Sequence, residues 1–394
     1  MPQTVLTLGN SRQALTVIRS LGRAGYRVIA GRVAEHDATE FSRHTAASWL
    51  HPAPGSDREA FLAAMDALQA RQRIDYVFPI GETPMRAIIL GPSQLPSGRL
   101  VMVDAETALT CFDKERMYVV ARELGIPVPT TMAGVTPARL VEAARRCGFP
   151  CVLKANDSSN PLLGEKALIC YDEISVAEFA RRFVAPDIGI VVQSFAPGQR
   201  VNCSFAAWEG ELRVYSEHRV IRTDRPNGTG LCVDSVSIPP TPSLRQHTEA
   251  LARHLQYTGV GCAQFLVDPA SGAIAFLEVN PRLDAACSLL VGCGCDLPLW
   301  ALEIARRRAG DRADLPADAD YRIGARGSWL LGDLRARAKA SRSGMAGAPP
   351  TLVWLGRSAR SFLAANHHTV WSWRDPGPAL FSYLGVQSKR APAA

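Results

Sequence analysis

The sequence predicts an α/β chain: a doubly wound parallel sheet at the front, then a second unit in which helices and β-strands mix. Three observations carry this. The first hundred residues alternate strand and helix patterns. From Asp113 the texture changes to helices interspersed with longer β-rich stretches. A hairpin signal, two apolar runs around a turn, closes that second unit near residue 280.

The elements follow in order. Residues 5–8 are a short apolar strand, and residues 11–24 a helix with Leu15, Ile18 and Leu21 spaced to face a core. Gly25 ends that helix and residues 26–30 form a second strand. A helix at 58–71 presents Phe61, Leu62, Met65 and Leu68, and residues 76–80 and 100–103 are two further strands. The first turn, Gly9-Asn10-Ser11-Arg12-Gln13-Ala14, holds one glycine where a dinucleotide-binding turn needs three. A nicotinamide dinucleotide is therefore set aside, and the turn binds a small anion at the helix N-terminus or nothing.

Residues 114–124 read as a helix stopped by Gly125-Ile126-Pro127-Val128-Pro129. A helix at 137–147, a strand at 150–155, a serine-containing loop and a β-rich stretch to about residue 240 come next. The helix 243–256 precedes the hairpin 261–280. Beyond residue 310 the chain turns Arg- and Ala-rich, then carries Trp329, Trp354, Trp371 and Trp373, which reads as a small C-terminal extension. No internal repeat is evident.

With 394 residues and ordinary apolar and charged fractions, two to three globular domains are expected. The net charge of +7 is scattered, with no basic run to suggest a nucleic-acid partner, and suits an enzyme of anionic substrates. The N-terminus lacks the plan of a signal peptide, and no apolar run approaches the roughly 18–20 residues that span a bilayer. A cytoplasmic protein without a membrane partner is expected. The ten cysteines fit no zinc spacing and read as buried thiols.

The chemistry concentrates in the hairpin. Asp268-Pro269 and Ser271-Gly272 are turn residues between two apolar runs. Glu278 and Asn280, two apart on one strand, share a face. If the turn is centred on Ser271, Gln264 lies opposite Glu278. One carboxylate and two amide oxygens then converge as hard donors of low total charge, which suits Mg²⁺ completing its shell with water and phosphate oxygens. Arg282 follows two residues on and reaches an anion beside the metal. The alternative is an amphipathic hairpin with a polar outer face, against which stand the apolar Phe276-Leu277 and the immediate stop at Pro281.

Glu278-Val279-Asn280-Pro281-Arg282, with Gln264 fourteen residues upstream, resembles the metal-binding hairpin of the ATP-grasp superfamily. The glutamine resembles that of the synthetase halves of carbamoyl phosphate synthase. Asp113-Lys114 and the strand ending in Lys154 resemble the two lysine positions that contact ATP, and Val191 to Gly198 the hinge that holds adenine. The resemblance covers roughly residues 105–305. It implies a Rossmann-like front domain at 1–105, a two-lobed ATP-grasp domain at 106–310 and an extension at 311–394. It also implies ATP held by Lys114, Lys154, Gln193, Ser194 and Phe195. Mg²⁺, with Mn²⁺ as an alternative, would sit on Gln264, Glu278 and Asn280, with Arg282 and Lys154 acting on the reacting groups. The family's hinge acid and a second acid seven residues later are here Gln193 and Arg200, and Asn202 is placed to substitute for the second.

The implied activity is that of a stand-alone carboxylate–amine ligase, releasing ADP and phosphate through an acyl phosphate. A carboxylase, a thiol ligase and a non-catalytic ATP-binding regulatory module are the alternatives. Asn10, Glu82, Arg219 and Arg222 are candidate contacts to the small-molecule carboxylate and amine. Glu82 pairs the amine or only caps its helix, and the loop 222–230 is equally well read as substrate-facing or structural. A homodimer is compatible with all of this.

Overall fold

The computed structural model describes residues 2–9, 12–91, 97–157, 162–183, 188–311, 320–343, 345 and 347–384. The front sheet comprises β1 (Thr4–Leu8), β2 (Arg27–Arg32), β3 (Thr45–Leu50) and β4 (Tyr76–Pro79). Their order is β3-β2-β1-β4, every pair parallel. Both faces are covered, as a parallel sheet requires. Because side chains alternate along a strand, Val5 packs with Val17, Ile18 and Leu21 of the helix Arg12–Arg23. Leu6 and Leu8 pack instead with Phe61, Leu62 and Met65 of the helix Arg58–Arg71.

Two details of this sheet correct the sequence expectation. β3 was missed because its apolar residues do not alternate: Ala47 and Trp49 face the sheet's covered side while Ala46 and Leu50 sit on the other, where every second residue from Ala46 to Leu50 is exposed. Residues 100–103 form no strand but a single parallel bridge from Leu100 to Val77.

The second sheet comprises β5 (Thr131–Val135), β6 (Cys151–Ala155), β7 (Leu168–Cys170) and β8 (Ile190–Ser194), antiparallel in the order β5-β8-β6-β7. The helices Leu140–Cys147 and Glu173–Arg182 cover it, burying Leu140, Ala144, Val176 and Phe179 against Leu153 and Val192.

The third sheet begins with β9 (Gln199–Trp208), β10 (Glu211–Thr223) and β11 (Cys232–Ile238). It continues with β12 (Gly259–Val267), β13 (Ile274–Asn280), β14 (Arg326–Ser328) and β15 (His367–His368), in the order β13-β12-β9-β10-β11-β14-β15. The last two strands come from the segment read as an extension, so that segment builds one edge of the largest sheet. It also clasps the front sheet: Asp375 accepts from Arg19 Nε at 2.8 Å, Ser42 Oγ at 2.7 Å and the Arg43 backbone N–H at 2.8 Å. Among the described residues no helix is long and apolar enough to cross a membrane, and all ten cysteines are free and buried.

Candidate active site

The site is built on the β12–β13 hairpin. Its turn is pinned by Asp268, whose carboxylate accepts from Ser271 Oγ at 2.6 Å and whose carbonyl accepts from the Gly272 N–H at 2.8 Å. Gly272 sits at φ 73°, a region that favours glycine. Near the turn Val267 pairs with Ile274 and Phe265 with Phe276, which on its own would carry Gln264 opposite Leu277. A bulge between Gln264 and Phe265 intervenes, and Gln264 faces Glu278 instead. Leu277 is the extra residue, and its carbonyl is held by the Tyr118 hydroxyl at 3.0 Å. Without the bulge a one-residue slip would turn Glu278 to the other face.

Register extends this pair across the sheet. Glu278 lies opposite Gln264, Gln264 opposite Asn202 and Asn202 opposite His218, a polar row over four strands. Glu278 Oε1 accepts from Asn280 Nδ2 at 2.9 Å, and Asn280 Oδ1 accepts from Arg282 Nη2 at 3.1 Å. Burial pushes the Glu278 carboxyl up, but Lys114, the Asn280 hydrogen bond, Lys166 and Lys154 outweigh it and hold the group below the usual carboxylate range. An ionised carboxylate with two amide oxygens beside it fits a hard divalent cation that retains other oxygen ligands. No cluster of three or more His, Cys, Asp or Glu exists among the described residues to compete as a metal site.

The lysines arrive from separate elements. Lys114 opens the helix Lys114–Glu123, capped by Asp113, and its Nζ lies 3.5 Å from the Asn156 carbonyl. Lys154, on β6, donates to Gln193 Oε1 at 2.8 Å, and desolvation pushes its pKa down to about 8 against the opposing pull of Glu278. Between these groups lies a cleft of about 630 Å³, with Val152, Ile169, Leu266 and Leu277 as apolar walls and Gln193, Ser194 and Phe195 along one side. The Gln193 amide is already committed: it takes Lys154 on its oxygen and donates to Thr131 Oγ1 at 2.8 Å. What this strand end has left for a ligand is therefore chiefly its backbone and the apolar walls.

Of the other expected residues some lie outside this cleft and some line it with their charges already bound. Asn202 does not line the cleft with the lysines but a neighbouring chamber, because its β9 position places it behind Gln264. Arg219 is exposed and lines neither cavity, since its neighbours His218 and Val220 take the inward positions on β10. Arg222 lines the cleft, yet its guanidinium is bound to the buried Asp333 and to Ser361 Oγ. Glu82 also lines it; its Oε1 accepts from Arg86 Nε at 2.8 Å, and it does not cap its helix, whose cap residue is Gly81. Asn10 lies outside the described residues.

Lys166 was missed: it stands at the cleft wall beside Glu278, after the loop that follows β6. One signal would have found it. The chain has 39 arginines and five lysines, and Lys114, Lys154 and Lys166 are three of the five. An arginine-rich chain that keeps lysine at three positions around one carboxylate is selecting compact, mobile point charges there.

Comparison with known proteins finds likenesses in both sequence and fold. Residues 240–309 match the family model described as carbamoyl-phosphate synthase L chain, ATP binding domain. The large chain of carbamoyl phosphate synthase from Methanosarcina mazei is 25% identical over 209 residues, covering 51% of this chain and 18% of that protein. The chain thus spans about a fifth of the length of that relative. Among solved structures, the biotin carboxylase domain of Hydrogenobacter thermophilus 2-oxoglutarate carboxylase, with MgADP and bicarbonate, superposes at a TM-score of 0.62. It is 18% identical over 83% of this chain and 73% of that one. The L-amino acid ligase of Bacillus licheniformis superposes at 0.58, 15% identical over 78% and 74%. The chain is thus similar in sequence to the ATP-binding part of carbamoyl phosphate synthase and similar in fold to these ligase and carboxylase structures.

Proposed function

We propose that this chain is an ATP-dependent carboxylate–amine ligase that activates an acid as its acyl phosphate and releases ADP and phosphate. The observation that carries the reading is the meeting of three lysines, contributed by different elements, with the register-matched Glu278, Gln264 and Asn280 in one cleft. Lys114, Lys154 and Lys166 would neutralise the phosphates of ATP, and the apolar walls with residues 193–195 would take the adenine. Glu278, Gln264 and Asn280 would hold Mg²⁺, which when bound supplies electrostatic stabilisation of phosphoryl charge. Arg282, tied to Asn280, would orient the acid so that its oxygen meets the γ-phosphorus. The amine then forms the C–N bond as phosphate leaves with the electron pair and the ammonium proton passes to solvent. In this reading residues 1–105 are a Rossmann-like front domain, 106–310 the ATP-grasp domain and 311–394 the extension.

A carboxylase acting on bicarbonate is the second reading, favoured by the structural likeness to a biotin carboxylase domain. A matrix of carboxylates and amines scored by ADP release, with bicarbonate and thiols as separate arms, decides between them. Hydroxylamine should intercept the activated acid as a hydroxamate. AMP and pyrophosphate as the only nucleotide products would overturn the acyl-phosphate mechanism.

A further inference from the structure

A second chamber, of about 740 Å³, adjoins the nucleotide cleft and shares with it Lys166, Arg200, Gln264, Glu278, Asn280 and Arg282. Its other walls come from the start of the front helix, Arg12 and Leu15, and from the C-terminal segment. That segment contributes Trp329, Leu331, Val370, Phe381 and Tyr383, an apolar and aromatic surface. The surface is built before any guest arrives. Leu15, Val370 and Ala379 form one buried cluster with Trp329 against it, and Phe381 stacks on Phe41 with ring centroids 4.5 Å apart.

The polar part of the chamber is cationic in a specific way. Arg12 donates to the Cys232 carbonyl at 3.1 Å and lies over the Trp329 ring at 3.6 Å. Arg200 donates to the Gly230 carbonyl at 3.1 Å, and its Nε is buried without a partner. Arg282 donates to the Leu283 carbonyl and the Asn280 amide oxygen, both at 3.1 Å. Among the described residues none of these three guanidiniums is in an ion pair, whereas Arg19, Arg222 and Arg326 are each matched to a carboxylate. Of the carboxylates on the chamber wall, Glu278 belongs to the hairpin site. Asp284 uses Oδ2 on His218 and the Ala286 N–H, and Asp37 Oδ1 holds Thr39. Asp284 acts on Arg12 and Arg200 through space but is paired with neither, so guanidiniums whose hydrogen bonds all go to neutral groups in a walled cavity still favour an anionic guest.

We infer that this chamber seats the acid to be activated, and that the acid carries an apolar body of aromatic size selected by the C-terminal segment. This rests on the ligase reading for the direction of the reaction, but the recognition itself is a binding claim. Arg282 and Arg200, at the wall shared with the nucleotide cleft, hold the carboxylate there. The body extends away from the cleft along Trp329, Val370 and Phe381. A bicarbonate ion, with four heavy atoms, would leave most of such a chamber empty, and pockets of this volume match organic ligands of roughly drug size.

The test is calorimetric binding of two matched series to the full chain in the presence of Mg²⁺ and a non-hydrolysable ATP analogue. The acids are acetate, butyrate, phenylacetate and indole-3-acetate; the amines are ethylamine, butylamine, phenethylamine and tryptamine. Affinity should rise with body size along the acids by at least tenfold in all, with each acid bound more tightly than its amine. Phe381→Ala and Trp329→Ala should flatten the rise, and Phe381→Leu should restore part of it. Each variant should bind the ATP analogue within about twofold of wild type, which certifies its fold. Amines preferred over acids, no rise with body size, or a rise unchanged in the variants that bind nucleotide would each overturn the inference. If the acids bind as expected but yield neither ADP nor hydroxamate with ATP, the chamber stands and the ligase reading falls.

Discussion

Glu278→Gln offers a test in which the sign of the effect changes with the metal. The carboxylate stands amid Lys114, Lys154 and Lys166, and it is held ionised by them. Without a metal it repels the phosphates of ATP. Two unit charges about 4 Å apart interact by about 4 kcal/mol at an effective dielectric of about 20. The residue is only half-buried in an open cleft, so solvent screens much of this, leaving about 1.4 kcal/mol, or a tenfold change in affinity. The glutamine variant should therefore bind ATP in EDTA about tenfold more tightly than wild type. With saturating Mg²⁺ the order should reverse, because the amide contributes no charge to the cation. Turnover should fall on the order of 100-fold or more, as phosphoryl transfer depends on that electrostatic stabilisation. Titration calorimetry at pH 6 reads both binding arms; this lies about two units below the Lys154 pKa of about 8 and leaves room for the upward pull of Glu278 that the variant loses. Equal affinities of the two proteins for ATP in both conditions would refute the placement of Glu278 beside phosphate and metal.

Because desolvation lowers the Lys154 pKa to about 8, wild-type affinity for metal-free ATP should be full below that pH and decline as pH rises through it. Lys154→Met should abolish this step while leaving the melting temperature close to wild type, and a step that survives would assign it to another group. At the clasp between the C-terminal segment and the front sheet, burial raises the Asp375 carboxyl. Arg19, the Arg43 N–H and Ser42 outweigh this and bring it to a net value below its ordinary 3.8. Its stabilisation is thus present above pH 3.8 and lost as pH falls through the depressed value. Asp375→Asn should cost about 3 kcal/mol in urea melts at pH 7, with the difference narrowing below pH 3.8; a constant difference would mean that packing, not charge, holds the clasp.

Much of this molecule was legible in its sequence because the signals were local. The alternation that builds β1, β2 and β4 with their helices is a pattern of neighbours, and the helix expected at 58–71 runs from Arg58 to Arg71. Glu278 and Asn280 share a face because a strand has a period of two, whatever surrounds it. Lys114 could be placed at a helix start from Asp113, which caps it. The pairing of Gln264 with Glu278 marks the limit. The sequence suggested a centre at Ser271, but the pairs next to the turn follow a different register, and the bulge at Leu277 brings the expected pair together. Tyr118, some 160 residues away in the chain, holds that bulge, and no local pattern encodes such a contact. The same holds for Lys166, for Asn202 behind Gln264, and for the tryptophan-bearing segment. That segment read as an appendage and instead walls the second chamber and edges the largest sheet. Sequence alone determined which residue types could do chemistry and which face each would occupy on its own element. Only the tertiary structure decided which faces meet, because that depends on packing between elements far apart along the chain.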